Sequence, residues 1–187
     1  MPAMPVDVRP YRELAPHEIE EWDDLVRKVY PPGEARLGSE LRWADLDEAT
    51  DYLIRLHDDG ELRACAWVTR RTISSAGGEL RVAGIRGVLT DPDHRRRGHA
   101  RAVMRRAEAL MRSFDDCDVA VLFSSVMAVP FYESLGWRAI PGPVTVEQPG
   151  GRIDYTDALP TAPVMALPLR RGADLPLGRI DVHGLPW

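Results

Sequence analysis

Residues 80–124 run LRVAGIRGVLT (80–90), DPDHRRRGHA (91–100), RAVMRRAEALMRSF (101–114), DDCD (115–118) and VAVLFS (119–124). Ala100, Val103, Met104, Ala107, Leu110, Met111 and Phe114 recur at i, i+3, i+4 and i+7, so residues 98–114 are expected to form an amphipathic helix. Before it, residues 80–89 read as a strand in which Gly84 and Gly87 bracket Ile85 and Arg86, the mark of a bulge or of close approach. After it, the apolar run 118–124 reads as a short strand buried on both faces. Strand, basic loop, helix and strand make a βαβ crossover, with parallel pairing and a right-handed connection.

Working outward, Asp58-Asp59-Gly60 is a hairpin signal between strands at 51–57 and 62–73, and Gly77-Gly78 turns the chain into the strand at 80–89. Residues 6–9 alternate as a first strand, 17–30 carry Ile19, Trp22, Leu25, Val26 and Val29 at helical spacing, and 40–50 suggest a short helix. On the C-terminal side, 128–135 read as a short helix stopped by Gly136. Segments 138–148 and 162–169 look like a closing pair of strands joined by an irregular loop. Residues 170–187 have no period and are expected to be irregular, although the segment ends in a tryptophan.

At 187 residues the chain is long enough for one well-buried domain and short for two. No apolar run approaches the ~20 residues needed to span a bilayer. The start, Met1-Pro2-Ala3-Met4-Pro5, lacks a secretory pattern, and Cys65 and Cys117 are isolated, which points to a reducing cytoplasm. Net charge is −5, which argues against bulk nucleic-acid binding, yet Lys28 is the sole lysine among 24 basic residues. An anion site must therefore be a local arginine patch.

Asp93-His94-Arg95-Arg96-Arg97-Gly98-His99-Ala100 provides that patch. A loop entering a helix N-terminus offers backbone N–H groups and a favourable dipole to an anion. Gly98 permits close approach, and Arg95, Arg96, Arg97, Arg101, Arg105 and Arg106 add charge suited to phosphates. Neither a P-loop nor a Gly-x-Gly-x-x-Gly pattern is present. The bland alternative is a solvated basic helix face.

Arg95-Arg96-Arg97-Gly98-His99-Ala100 resembles the Arg/Gln-x-x-Gly-x-Gly/Ala signature of the GCN5-related N-acetyltransferases. Ser125-Val-Met-Ala128-Val-Pro-Phe131-Tyr132-Glu-Ser-Leu-Gly136-Trp137 is similar to that family's second cofactor motif, in the same order along the chain. The resemblance implies an α/β (α+β) fold over residues 1–169, a single domain with a tail at 170–187 packed on it. Its mixed, mostly antiparallel sheet would splay into a V around the central crossover, with helices on both faces. It implies acetyl-CoA as acyl donor and no metal, the pantetheine pairing with Val88, Leu89 and Thr90 and the pyrophosphate lying on Arg95, Arg96, Arg97, Gly98, His99 and Ala100. Ser125 and Tyr132 complete the expected donor contacts.

Acyl transfer from a thioester needs a free amine, a polarised carbonyl and a proton for the departing thiolate. The resemblance gives the proton to Tyr132; the alternative is that Tyr132 only packs beside Phe131. Ser125 either bonds the cofactor or caps the next helix. The base is unspecified, with Glu133, His94, Glu79, an acid of 34–48, the terminal carboxylate or a water chain as candidates.

Ala139-Ile-Pro-Gly-Pro-Val-Thr-Val146, Val164-Met-Ala-Leu-Pro168 and the tail ending in Trp187, together with Trp43 and Thr69-Arg70-Arg71-Thr72-Ile73, resemble the aminoglycoside 2′-N-acetyltransferase subgroup. This gives Trp187 a catalytic role or, alternatively, that of a hydrophobic plug, and places Arg86, Gly87, Trp43 and Ser124 on the acceptor side. Arg86 and Arg42 stand where that subgroup has acids, which disfavours a polycation. The expected activity is acetyl transfer to a primary amine of a small molecule, aminoglycoside-like or amino-sugar-like, in a ternary complex. No nucleic-acid or membrane partner is expected, and a homodimer stays open because relatives often dimerise. The alternatives are a longer acyl donor on an amino sugar, or a non-catalytic acyl-CoA sensor.

Overall fold

A computed structural model describes residues 5–31, 41–47, 51–176 and 178–187. In chain order the elements are β1 (Val6–Pro10), α1 (Pro16–Val29), β2 (Tyr52–Asp58), β3 (Glu61–Ser75), β4 (Gly78–Thr90), α2 (His99–Arg112) and β5 (Val119–Phe123). They continue with α3 (Val129–Glu133), β6 (Arg138–Ala139), β7 (Val144–Gln148), β8 (Gly151–Asp154), α4 (Tyr155–Ala158), β9 (Val164–Pro168) and β10 (Ile180–Asp181). The described residues group into two compact units, and β3 and β4 contribute to both.

One unit comprises Met1–Arg36, Leu46–Thr69 and Arg86–Ser113. β1 pairs antiparallel with β2, and β2 with β3, from Tyr52↔Val68 to Asp58↔Glu61. The turn between them places Asp59 at φ 52° and Gly60 at φ 78°, the left-handed pair that a tight hairpin requires. The periodic face of α1 supplies Ile19, Trp22, Leu25 and Val26 to a core with Leu53 and Trp67. Tyr11 and Trp22 meet the Trp67 ring edge-on, with centroids 5.5 and 5.6 Å away. Strand alternation then sorts β2: Arg55 and His57 reach Glu18 and Glu21 on α1, whereas Asp58 faces His99 of α2. The two helices thus cover opposite faces of this unit's strands.

The other unit comprises Leu37–Asp45, Arg70–Ile85 and Phe114–Trp187. Its strand order is β6-β9-β5-β4-β3-β10-β7-β8. β4 and β5 pair in parallel from Val82↔Val119 to Ile85↔Leu122, as the crossover predicts. That pairing ends at Ile85↔Leu122, although β4 continues to Thr90 and β5 to Phe123. β9 pairs antiparallel with both β5 and β6.

Several expectations need correction. Segment 138–148 is not one strand: Pro141-Gly142-Pro143 breaks it, β6 pairing with β9 and β7 with β8 and β10. The loop expected to be irregular contains β8 and α4, with Asp154 accepting the N–H groups of Thr156 and Asp157 as the helix cap. Residues 41–47 are not helical, and the rest of the helix expected at 40–50 lies outside the described residues. Gly84 is in register opposite Val121, so the backbone departure in β4 is at Gly87, φ 55°. The tail is not wholly irregular, because β10 pairs with β7 and, at Ser74, with β3.

Candidate functional site

In the first unit, β4 delivers Arg86, Gly87, Val88, Leu89 and Thr90 to the basic loop. Gly87 has a conformational reason, its φ of 55°, which side chains rarely adopt; a Cβ there would make only ordinary contact, 3.5 Å, with the Trp67 ring. Leu89 is buried in the core, while Val88 and Thr90 are half-buried and lie beyond the last β5 partner. Asp91 then ends the strand. Its backbone N–H donates to the Arg63 carbonyl at 2.8 Å, and its carboxylate accepts from the Asp93 N–H at 3.1 Å.

Asp91 is 2% exposed, and two cations and an imidazole converge on it: Arg63 Nη1 at 2.9 Å, Lys28 Nζ at 3.6 Å and His94 Nδ1 at 3.6 Å. Burial alone would raise its pKa, but the Arg63 bond, the Asp93 N–H and the charges of Lys28 and His94 outweigh burial and hold it below the usual carboxylate range. The carboxylate therefore fixes the start of the loop to β3 and α1.

Arg95, Arg96 and Arg97 follow, all exposed, with Arg96 at φ 65°. Gly98 takes φ 87° and ψ 1° as the N-cap of α2, and nothing lies within 4 Å of where its Cβ would be. The intrahelical bonds begin with Ala102 N–H on the Gly98 carbonyl at 3.0 Å, so the N–H groups of His99 and Ala100 precede any such carbonyl. Open space over a left-handed glycine, orphan N–H groups and three exposed guanidiniums are the features a diphosphate needs. His99 is buried, 3% exposed, with its ring stacked on His94.

In the second unit, β5 ends at Phe123, half-buried, followed by Ser124 and Ser125. Ser124 is 3% exposed, and its hydroxyl donates to the Ser125 carbonyl at 2.8 Å. Ser125 precedes the 3-10 turn Val126–Ala128 without capping it through its side chain, which removes the helix-cap reading. Pro130 falls in the first turn of α3, where its missing N–H costs nothing. Tyr132 is 7% exposed, its ring tilted on Phe131 at 5.2 Å and edge-on to Trp137 at 6.3 Å.

Trp43 and Trp187 are brought together through a third ring. Phe123 lies edge-on to Trp43 at 6.1 Å, to Trp187 at 5.1 Å and to Tyr155 at 4.7 Å. Trp187 is 3% exposed, and the Arg71 guanidinium sits 5.5 Å over its ring. Two hydrogen bonds to backbone carbonyls fix the approach: Arg71 Nη1 donates to the Leu185 carbonyl at 2.6 Å and Ala44 N–H to the Pro186 carbonyl at 2.7 Å. Phe123, Tyr155 and Arg71 escaped the sequence reading because each sits on a different element. Trp187 fills a core position.

Among the candidate bases, Glu79 and Glu133 are exposed and His94 faces Asp91. Glu34, Glu40 and Glu48 lie outside the described residues. Neither cysteine is a nucleophile near neutral pH, since burial pushes both Cys65 and Cys117 up to about 12. No described helix is long and apolar enough to cross a membrane.

Residues 10–140 match a family model described as an acetyltransferase (GNAT) domain. No curated protein matches the chain significantly. Among solved structures, a GNAT family N-acetyltransferase (YhbS) from Escherichia coli in complex with CoA is similar at TM-score 0.60 and 17% identity, covering 98% of this chain and 92% of that one. Escherichia coli ElaA is similar at TM-score 0.60 and 15% identity, covering 87% and 98%. The ribosomal-protein-S18-alanine N-acetyltransferase of the same organism is similar at TM-score 0.55 and 16% identity, covering 91% and 97%. At these identities the likeness speaks for the fold.

Proposed function

The chain belongs to the GNAT acetyltransferase family, and on that premise we propose that it transfers the acetyl group of acetyl-CoA directly to a primary amine of a small molecule. The observation that carries this reading is the Arg95-Arg96-Arg97-Gly98 loop, left-handed at Gly98 and open above it, running into the N-terminus of α2. There Arg95, Arg96, Arg97, Gly98, His99 and Ala100 hold the diphosphate. Val88, Leu89 and Thr90, past the last residue of β4 paired with β5, offer backbone groups to the pantetheine. When bound, acetyl-CoA supplies an activated acyl group, so the protein has only to orient the amine, withdraw its proton and protonate the leaving thiolate.

Tyr132 is assigned that last proton, and Ser125 a donor contact. A phenol with an ordinary pKa near 10 suits a thiolate leaving group. Trp43, with Arg86, Gly87 and Ser124, is assigned to the acceptor, and Trp187 supports it by packing under Phe123. An aminoglycoside would call for carboxylates on the acceptor side, but Asp154 is occupied as the cap of α4 and lies 3.9 Å from Arg179. The acceptor is therefore specified only as a small primary amine.

The test is a thiol-release assay with acetyl-CoA against aminoglycosides, amino sugars, polyamines and amino acids, with CoA binding followed by calorimetry. Turnover on any amine supports the reading. Tight CoA binding without turnover moves it to a longer acyl donor or a sensor, and absent CoA binding overturns it.

A further inference from the structure

His94 and His99 stand at the two ends of the Arg95–Gly98 stretch, yet their rings are stacked, with centroids 6.3 Å apart and planes at 16°. A carboxylate faces each ring from outside: Asp91 is 3.6 Å from His94 Nδ1, and Asp58 of β2 is 3.9 Å from His99 Nε2. Both distances exceed a hydrogen bond. The Nδ1 atoms of both rings are buried without a hydrogen-bond partner, and His99 as a whole is 3% exposed. A buried ring nitrogen left unsatisfied is unfavourable and calls for an explanation.

The charges around the pair are mixed. His99 is faced by Asp58 of β2, by Arg63 of β3 and by His94 and Arg97 of the loop. His94 is faced by Asp91, which is itself bound to Arg63 and to Lys28 of α1. Without a ligand, burial first, and then the charges of His94, Arg97 and Arg63, hold His99 below the usual histidine range against the pull of Asp58. A diphosphate on Arg97 and the N-terminus of α2 would bring negative charge into this group and neutralise those cations. Protonation of His99, which Asp58 faces at 3.9 Å, then becomes favourable.

We infer that His99, stacked on His94 at the start of α2, is a proton-linked part of the donor loop, taking up a proton as the diphosphate binds, so that donor affinity rises as pH falls through the histidine range. The inference rests on the loop being the diphosphate site, as proposed above. By linkage, uptake of one proton changes affinity by at most about tenfold per pH unit.

The probe is 3′-dephospho-CoA, which keeps the diphosphate but lacks the phosphomonoester, a group that itself titrates near pH 6. Calorimetry between pH 5.5 and 8, in buffers of different ionisation enthalpy, counts protons taken up per ligand bound. The expected result is an uptake of roughly 0.3–1 proton near pH 6.5, reduced by at least half in His99→Asn. Equal uptake in wild type and variant, or none in either, overturns the inference. Should His99→Asn not fold, NMR titration of the wild-type imidazole Cε1–H signals, free and saturated with dephospho-CoA, decides the matter. The His99 midpoint must move up on binding, and a stationary midpoint overturns the inference. Failure of both CoA and dephospho-CoA to bind at any pH would instead remove the diphosphate reading of the loop.

Discussion

Gly98 concentrates two requirements in one residue. Its φ of 87° is unfavourable for any side chain by about 1–2 kcal/mol, and the space above it is where a diphosphate would approach. Gly98→Val is therefore expected to lower stability modestly and to raise the Kd for CoA at least tenfold, read by thermal melting and calorimetry. A valine variant that binds CoA normally would show that the backbone there is not the cradle. Tyr132→Phe separates chemistry from binding. Loss of a general acid lowers turnover by about a hundredfold or more, while CoA affinity should stay at the wild-type value. If kcat is unchanged at every pH, the buried phenol is there to pack on Phe131 and Trp137.

Among elements, α1 carries one buried carboxylate that ties it to two strands. Glu18 accepts the Ala15 N–H at 2.7 Å and binds Arg55 of β2 and, at 3.2 Å, Arg9 of β1. Burial alone would raise its pKa, but the Ala15 and Arg55 bonds and the charges of Arg55 and Arg9 prevail and hold it below the usual glutamate range. The sign follows: this stabilisation is complete above about pH 4.5 and is lost as pH falls through the lower folded-state range. Glu18→Ala should cost roughly 3 kcal/mol at pH 7 and distinctly less near pH 3, measured by urea unfolding at both.

α1, α2 and β1–β5 were legible because their apolar periods match the faces they bury. Residues 41–47 were not. Leu41, Trp43 and Leu46 have helix-like spacing, but the backbone there is bonded to distant partners, Arg42 to the Gln148 amide and Ala44 to the Pro186 carbonyl. Pro141-Gly142-Pro143 was read through as strand for a related reason. A Cβ on Gly142 would run into the Gly178 carbonyl, a contact 36 residues away that local pattern does not encode. The loop's glycine and arginines were legible at the site, whereas Asp91, Asp58 and Phe123 act only through tertiary contacts.

For the molecule as a whole, the weight falls on the last eighteen residues, 170–187. β10 is the only strand in the described order between β3 and β7, so the β7–β8 hairpin joins the second unit's sheet through it. Further bonds extend this attachment, with Val182 N–H on the Thr145 carbonyl at 3.0 Å and Glu147 N–H on the Gly184 carbonyl at 2.8 Å. Trp187 closes the core beneath Phe123. Trp187→Ala should therefore cost about 3–5 kcal/mol, a loss of folding rather than of acceptor affinity alone. Removing 170–187 should do more, leaving β3 and β7 with unpaired edges and an open core. The expected outcome is a chain that binds a hydrophobic dye, lacks a cooperative melting transition and aggregates. A tail that served only to meet the acceptor would give the opposite pattern: a truncated chain with the wild-type melting temperature and CoA affinity, impaired only in amine turnover. Denaturation and CoA titration of the truncated protein distinguish the two, and the second pattern would return Trp187 from the core to the acceptor.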